Sequence, residues 1–276
     1  MNIAGLPSHF DELKLLIENE KPKLAILVET HLTASRDLYQ FQIPEYDMVN
    51  CFSRSAHIGG VSMYIDDRLR DDVISCKVVG DNWFLATDIR SETFCGIFGG
   101  VYHSPSCSDI DFVEHFESWL QEVVLDDKIN MIAGDFNIRW NGGSCFRELK
   151  NVADAVGMEQ KVNEFTRVNN ASRTIIDLVF SNVTECKATI VEEFRINDHE
   201  TIGIYIPEKI EVCVPTDRKK KYISWQNYSK SALQTLLRYD VNLSTERVSV
   251  EEDARILSAL LVEAVLKSYA MREMVL

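Results

Sequence analysis

The sequence predicts an α/β fold in which two mixed β-sheets are sandwiched between helical layers, four layers in all, followed by a helical tail. Two observations carry this expectation: helical and strand-like runs alternate along residues 1–207, and the strand-like runs are short and many. A third, the change in composition after Pro207, sets the tail apart.

Taken in order, residues 6–19 place Leu6, Phe10, Leu13, Leu16 and Ile17 at helical spacing. Residues 23–30 (KLAILVET) then read as a buried strand closed by a carboxylate. From residue 46 to 103 come YDMVNCF, GGVSMYI, DVISCKVV, NWFLATDI and TFCGIFGGVYH, broken by Gly, Asp and Asn, which predict an antiparallel meander. Ser108 or Asp109 is placed to cap a helix that packs Phe112, Phe116 and Leu120 and ends near residue 124. INMIAG (129–134) follows as a central strand, and a second helical run covers about 145–156. TIIDLVFSN (174–182), TIVEEF (189–194) and ETIGIYIP (200–207) complete the strands. The division therefore falls into a main domain over 1–207 and a linker with helical tail over 208–276, whose amphipathic segment lies near 249–270. The basic run at 218–221 (RKKK) reads as a solvated linker more readily than as a phosphate contact.

Composition narrows the class. At 276 residues, 46% hydrophobic and 26% charged, the chain has the make-up of one large globular domain with an appendage. No run approaches the roughly 18 apolar residues of a membrane span, and the start lacks the basic-then-apolar layout of a secretory signal, so no membrane partner and residence inside a cell are expected. The 7 cysteines are scattered singly, with no C-x-x-C pair, which argues against a disulfide framework or a zinc site. The net charge of −14 runs against the usual basic character of nucleic-acid enzymes. That acidity belongs to the main domain, with 18 Lys/Arg against 33 Asp/Glu in 1–207 and 11 against 10 in 208–276.

Candidate chemistry gathers where carboxylates close apolar strands. Glu29 ends ILVE, where a buried unpaired carboxylate is costly but a hard cation such as Mg²⁺ would be well served. Asp135 and Asn137 follow MIAG, with alternation sending both side chains to one side and Gly134 easing the backbone bend. Asp177 interrupts a β-branched strand and must be paired, metal-bound or at an edge. Asp198 and His199 precede the last strand, and an Asp177–His199 hydrogen bond would orient the imidazole and stabilise its protonated form. Tyr102 ends a strand before a proline turn, placed to donate to an oxygen. Asn2 and Thr166 flank strand-like runs.

The ordered set NIAGL, VET, VYHSPS, GDFNI, T…IDLVFSN and DHE resembles the endonuclease/exonuclease/phosphatase superfamily over roughly residues 1–207. It is most similar to the apurinic-endonuclease-like domain of non-LTR retrotransposons, and IDLVFSN points to that branch. The resemblance implies a DNase I-like fold and a DNA endonuclease dependent on Mg²⁺ or Mn²⁺, nicking target DNA to leave a 3′-hydroxyl and a 5′-phosphate. Glu29 would bind the metal with Asn2 and Asp198 close to it. Asp135 would activate or orient water, Asn137 would position water and phosphate, and Tyr102 would contact the phosphate. His199, oriented by Asp177, would stabilise the transition state, and Thr166 would be a phosphate-side contact.

The chain departs from that pattern at three places. Asn197 stands where this branch carries a serine, which keeps a substrate-side hydrogen-bonding group there, and Ala4 stands where apurinic endonucleases proper carry an acid. Asn2 directly follows Met1, whereas the resemblance puts a strand ahead of it, so a frayed N-terminal edge is expected. The resemblance further implies a nuclear location and a reverse transcriptase domain as partner in a larger element. Tyr64-Ile65-Asp66-Asp67 spells the Tyr-x-Asp-Asp string of reverse transcriptases, but reads as a strand running into an acidic turn. The competing readings are a phosphatase or phospholipase of the same fold, and an inactive remnant.

Overall fold

The computed structural model describes residues 1–91, 95–125, 128–140, 142, 145–169, 172–207, 220–223 and 271–274. The chain divides into two compact units, Met1–Pro215 and Thr216–Leu276.

In the first unit, helix α1 (Leu6–Glu20) precedes strand β1 (Leu24–Val28). The hairpin of β2 (Tyr46–Cys51) and β3 (Val61–Asp66) pairs with β1 in the order β1-β3-β2, all antiparallel. Residues then alternate between two cores. Leu27 and Tyr64 face α1 with Leu6, Leu13 and Ile17, whereas Val28, Met63 and Ile65 face the other way into the main core. The reverse-transcriptase-like string is the end of β3 plus its turn, where Asp66 is held by Lys23 at 2.9 Å and Arg68 at 2.6 Å.

The second, larger sheet has six strands in the order β4-β5-β6-β7-β11-β8. Strands β4 (Arg70–Val79), β5 (Asn82–Arg90) and β6 (Cys95–His103) form an antiparallel meander, and β7 (Ile129–Asp135) joins β6 in parallel after helix α2 (Asp109–Val123) crosses over. The predicted single meander over 46–103 is therefore split, its first hairpin going to the smaller sheet and its last three strands to the larger. Helix α2 is capped by the Ser108 hydroxyl and lays Phe112, Phe116 and Trp119 against the larger sheet. Phe116 meets Phe136 edge-on at 5.3 Å, and Phe136 meets Phe180 at 5.3 Å. Helix α3 (Phe146–Ala155) leads to β8 (Glu159–Gln160), which pairs with β11 (Asp177–Ser181).

The remaining strands β9 (Arg167–Val168), β10 (Arg173–Thr174), β12 (Lys187–Ile196) and β13 (His199–Tyr205) form a third sheet in the order β10-β9-β13-β12. The expected layers of α1, small sheet, large sheet and α2/α3 are present, but the small-sheet layer comes in two pieces. Between them lies a cavity of about 710 Å³ flanked by β1 and β13.

Of the second unit, β14 (Lys220–Ile223) and β15 (Met271–Met274) are described, paired antiparallel. The predicted helix near 249–270 lies outside the described residues. Among the described residues no helix is long and apolar enough to cross a membrane, and the six described cysteines are not joined in disulfides.

Candidate active site

Strand register builds the site. Tyr102 on β6 is directly opposite Asp135 on β7, and Asp135 is directly opposite Asp177 on β11. Three polar side chains thus form one row across neighbouring strands of the larger sheet. The row depends on Gly134: a Cβ there would fall 1.8 Å from the Val101 carbonyl oxygen, so only glycine lets β7 approach β6 this closely. The residue expected to ease a bend instead permits a close approach.

Each member of the row is held by a neighbour. The Asp135 carboxylate is almost wholly buried and accepts from the Asn2 side-chain amide at 3.0 Å and from the Asn137 backbone N–H at 3.0 Å. Asn137 adopts a positive φ of 48°, a conformation asparagine tolerates, and its amide donates to the His103 carbonyl at 2.7 Å. Asp177 faces His199, whose Nδ1 lies 3.1 and 3.0 Å from the two carboxylate oxygens. Since a carboxylate only accepts, Nδ1 carries the proton and Nε2 is left pointing away, 3.9 Å from both Asp135 Oδ2 and Asp198 Oδ1. The Tyr102 hydroxyl donates to Glu29, which directly follows β1 with a positive φ of 54°.

Electrostatics follow from burial and crowding. Desolvation, and next the charge of Asp177, push the Asp135 carboxyl up to about 7, against smaller opposing effects of His199, Asn137 and Asn2. Burial pulls His199 down, but the hydrogen bond to Asp177 and the charges of Asp177 and Asp135 outweigh it, so its pKa is raised. Burial, then Glu29, raise the Tyr102 hydroxyl well above the ordinary phenol value, so it stays a donor. Asp198 is also desolvated, yet Arg167 Nε at 2.7 Å holds its carboxyl below the usual range.

The structure therefore brings Tyr102, Asp135, Asp177, His199, Asn2 and Asn137 together, with Glu29 joined through Tyr102 and Asp198 beside His199. Thr166 and Asn197 are placed otherwise. Thr166 is completely enclosed, and its hydroxyl accepts from the backbone N–H groups of Ile176 at 3.1 Å and Asp177 at 3.0 Å. It braces the start of β11 and offers no surface to a phosphate. Asn197 is exposed in the tight turn between β12 and β13 with φ 56°, so turn geometry explains its amide. Arg167 is the residue sequence reasoning missed, and its one signal is adjacency to Thr166.

Among the described residues, a compact group that could hold a metal comprises Asp135, Asp177 and His199, whose ligand atoms lie within 4.8 Å of one another. This differs from the expected set of Glu29, Asn2 and Asp198, each of which is engaged with a protein partner here. The two buried carboxylates of this group offer the hard oxygen ligands that a divalent cation prefers.

No protein-family model matches this sequence, and no curated protein matches it. Among solved structures, an AP endonuclease from Archaeoglobus fulgidus superposes with a TM-score of 0.58 at 14% identity, covering 74% of this chain and 96% of that one. The endonuclease domain of TRAS1, a telomere-specific non-LTR retrotransposon, gives 0.59 at 11% identity, covering 74% and 94%. The chain shares the DNase I-like fold of these structures. D. rerio TDP2 complexed with a single-strand DNA product shares it too, at 0.52 and 16% identity over 71% of this chain and 90% of that one. Within this fold the row Tyr102–Asp135–Asp177 closes one end of the larger sheet, where Asn2 and Glu29 reach it from the smaller one.

Proposed function

We propose that this chain is a phosphodiester hydrolase that nicks DNA with Mg²⁺ or Mn²⁺. The observation that carries the reading is the row of Tyr102, Asp135 and Asp177 with His199 hydrogen-bonded to its end. Cleaving a phosphodiester calls for a base to activate water, donors for charge developing on oxygen, and positive charge against the phosphate. Asp135, with a carboxyl near 7, is suited to accept a proton from water at neutral pH. His199, kept protonated by Asp177, presents Nε2–H to a phosphate oxygen. The Tyr102 hydroxyl contacts the phosphate, and Asn137 positions water and phosphate. Glu29, with Asn2 and Asp198 beside it, would hold the cation that supplies the positive charge on giving up the contacts to Tyr102, Asp135 and Arg167, which leaves Asp135, Asp177 and His199 to the water and the phosphate rather than to the metal.

DNA as substrate is supported by the structural neighbours, which include AP endonucleases and a TDP2 complexed with a single-strand DNA product. Target nicking for retrotransposition rests on the TRAS1 likeness and on IDLVFSN, and implies a reverse transcriptase domain as partner and a nuclear site of action. A second reading, a catalytically silent domain, draws on Arg167, which occupies Asp198.

Supercoiled plasmid incubated with Mg²⁺ should be nicked, and EDTA or Asp135→Ala should suppress nicking, the substitution by about 10²–10³ in rate. Hydrolysis of inositol phosphates or sphingomyelin without nicking would instead establish a phosphatase or phospholipase, and no hydrolysis by folded protein would favour the silent domain.

A further inference from the structure

Ser75 and Cys76 are neighbours on β4, so their side chains leave it on opposite faces. The Ser75 hydroxyl accepts from Trp119 Nε1 of α2 at 3.0 Å, and Cys76 is therefore turned away from α2. There it meets Cys51, the last residue of β2. The two thiols are hydrogen-bonded to each other. Each also reaches the opposite backbone: Cys51 Sγ donates to the Lys77 carbonyl at 3.6 Å, and Cys76 Sγ to the Asn50 carbonyl at 3.7 Å. These reciprocal contacts hold the two sulfurs between the edge strand β2 of the smaller sheet and the edge strand β4 of the larger one.

The two thiols are unequal. Cys51 is 1% exposed and belongs to the main core, whereas Cys76 is exposed to solvent. The hydrogen bond from Cys51 draws the Cys76 thiol down to about 7 against its desolvation, and the same bond, with burial, pushes the Cys51 thiol up. An accessible sulfur with thiolate character beside an enclosed thiol is the arrangement of a two-cysteine redox site, in which the first sulfur meets the oxidant and the second resolves the product. The chemistry proposed for Asp135 and His199 uses neither sulfur.

We propose that Cys51 and Cys76 are a redox modification site that closes to a reversible disulfide, with a hydroperoxide as oxidant, Cys76 as the attacking sulfur and Cys51 as the resolving one. The Cys76 thiolate attacks one peroxide oxygen, the O–O bond breaks, and a sulfenic acid and hydroxide form, the hydroxide taking up the proton that Cys76 released. The Cys51 sulfur then attacks the Cys76 sulfur, the S–O bond breaks, and the hydroxyl leaves as water with the Cys51 proton. Two thiols are oxidised by two electrons in all, and hydrogen peroxide is reduced to two waters. The bond ties the smaller sheet to the larger at the strand end from which residues 52–60 depart. The Phe52 carbonyl accepts from Trp83 Nε1 at 3.0 Å, and Trp83 is directly opposite Tyr102, so the tie is one residue from a support of the Tyr102 end of the row. The inference is independent of the proposed hydrolysis, and its test reads no catalytic activity.

The full chain, reduced and then freed of reductant, would be treated with a small excess of hydrogen peroxide. It should lose two hydrogens in mass and yield tryptic peptides 37–54 and 71–77 joined through Cys51 and Cys76. Its Tm should rise by about 5 °C or more, and dithiothreitol should return both mass and Tm. In Cys51→Ala the reaction should stop at a Cys76 sulfenic acid that dimedone traps, with no rise in Tm. Cys76→Ser should leave Cys51 unmodified by the same treatment, and its exposed position keeps the test open should the core substitution fail to fold. Oxidation of Cys95 or Cys107 without a 51–76 link would overturn the site. A sulfinic acid at Cys76 in the unaltered protein, or a dimer linked through Cys76, would overturn the resolving role of Cys51, and a link that lowers Tm would overturn the tie between the sheets.

Discussion

The two sheet layers of the first unit face each other, yet they are built to different standards. In the larger sheet, β5, β6, β7 and β11 are paired on both sides, their apolar side chains are buried, and the aromatic chain from Phe84 through Phe112, Phe116 and Phe136 to Phe180 fills the space under α2. In the opposite layer β1 and β13 border a cavity, and Ile202, Ile204 and Ile206 are only partly buried. The row that includes Asp135 and Asp177 belongs to the closed layer, while Asn2 and Glu29 come from the open one. Precise placement of buried carboxylates requires a scaffold that does not yield, whereas the layer with the cavity contributes the contacts that reach in from the side.

Paired truncations test that contrast most strongly. Ile132→Ala, in the closed layer, should cost about 2–5 kcal/mol, since its packed surroundings leave an unfilled hole. Ile204→Ala should cost about 1 kcal/mol or less, because the space it borders is already open. Equal losses in chemical denaturation would end the distinction between the layers. Next in size is Thr166→Val, which keeps the shape but leaves the buried N–H groups of Ile176 and Asp177 without their acceptor, at about 1–3 kcal/mol. An unchanged unfolding midpoint would show that Thr166 does not brace β11.

A separate test is a pH dependence of stability without divalent cation, and its sign follows from two groups. Asp135 titrates near 7 when folded and near 4 when unfolded, so folding disfavours its charged form and stability falls as pH rises through that window. The raised His199 contributes stability that is complete below its unfolded value and is lost as pH rises through the folded one. Both slopes run the same way. In EDTA, Tm should decline between pH 5 and 8, and Asp135→Asn should flatten the decline. A Tm that climbs over that range would contradict the assigned environment of Asp135.

Much of this was legible in the sequence. Apolar periodicity located α1, α2, α3 and the main strands to within a few residues, apolar runs closed by carboxylates pointed to Glu29 and Asp135, and a carboxylate interrupting a β-branched strand pointed to Asp177. The Asp177–His199 hydrogen bond was also anticipated, because a buried acid in a strand must find a donor. What local pattern could not convey was register, which is set by pairing between segments far apart in sequence and is what aligns Tyr102, Asp135 and Asp177. Thr166 illustrates the limit: its residue type suits a phosphate contact and a backbone brace equally, and only its complete burial separates them. Arg167 escaped notice because a surface arginine has no periodicity to mark it, and its link to Asp198 spans 31 positions.

The Asn2 contact has a consequence for how this molecule would lose competence on heating. A short segment held by few bonds opens at lower free energy than a packed sheet, and Asn2, in the segment Met1–Ile3 laid along β1, supplies one of the two hydrogen bonds that hold the Asp135 carboxylate. Release of Met1–Ile3 from β1 would let water reach that carboxyl and shift its proton affinity while every strand of the larger sheet stayed intact. Competence and foldedness are then separate quantities, governed by two openings of unequal size, and the smaller one sets the temperature at which the site stops being itself.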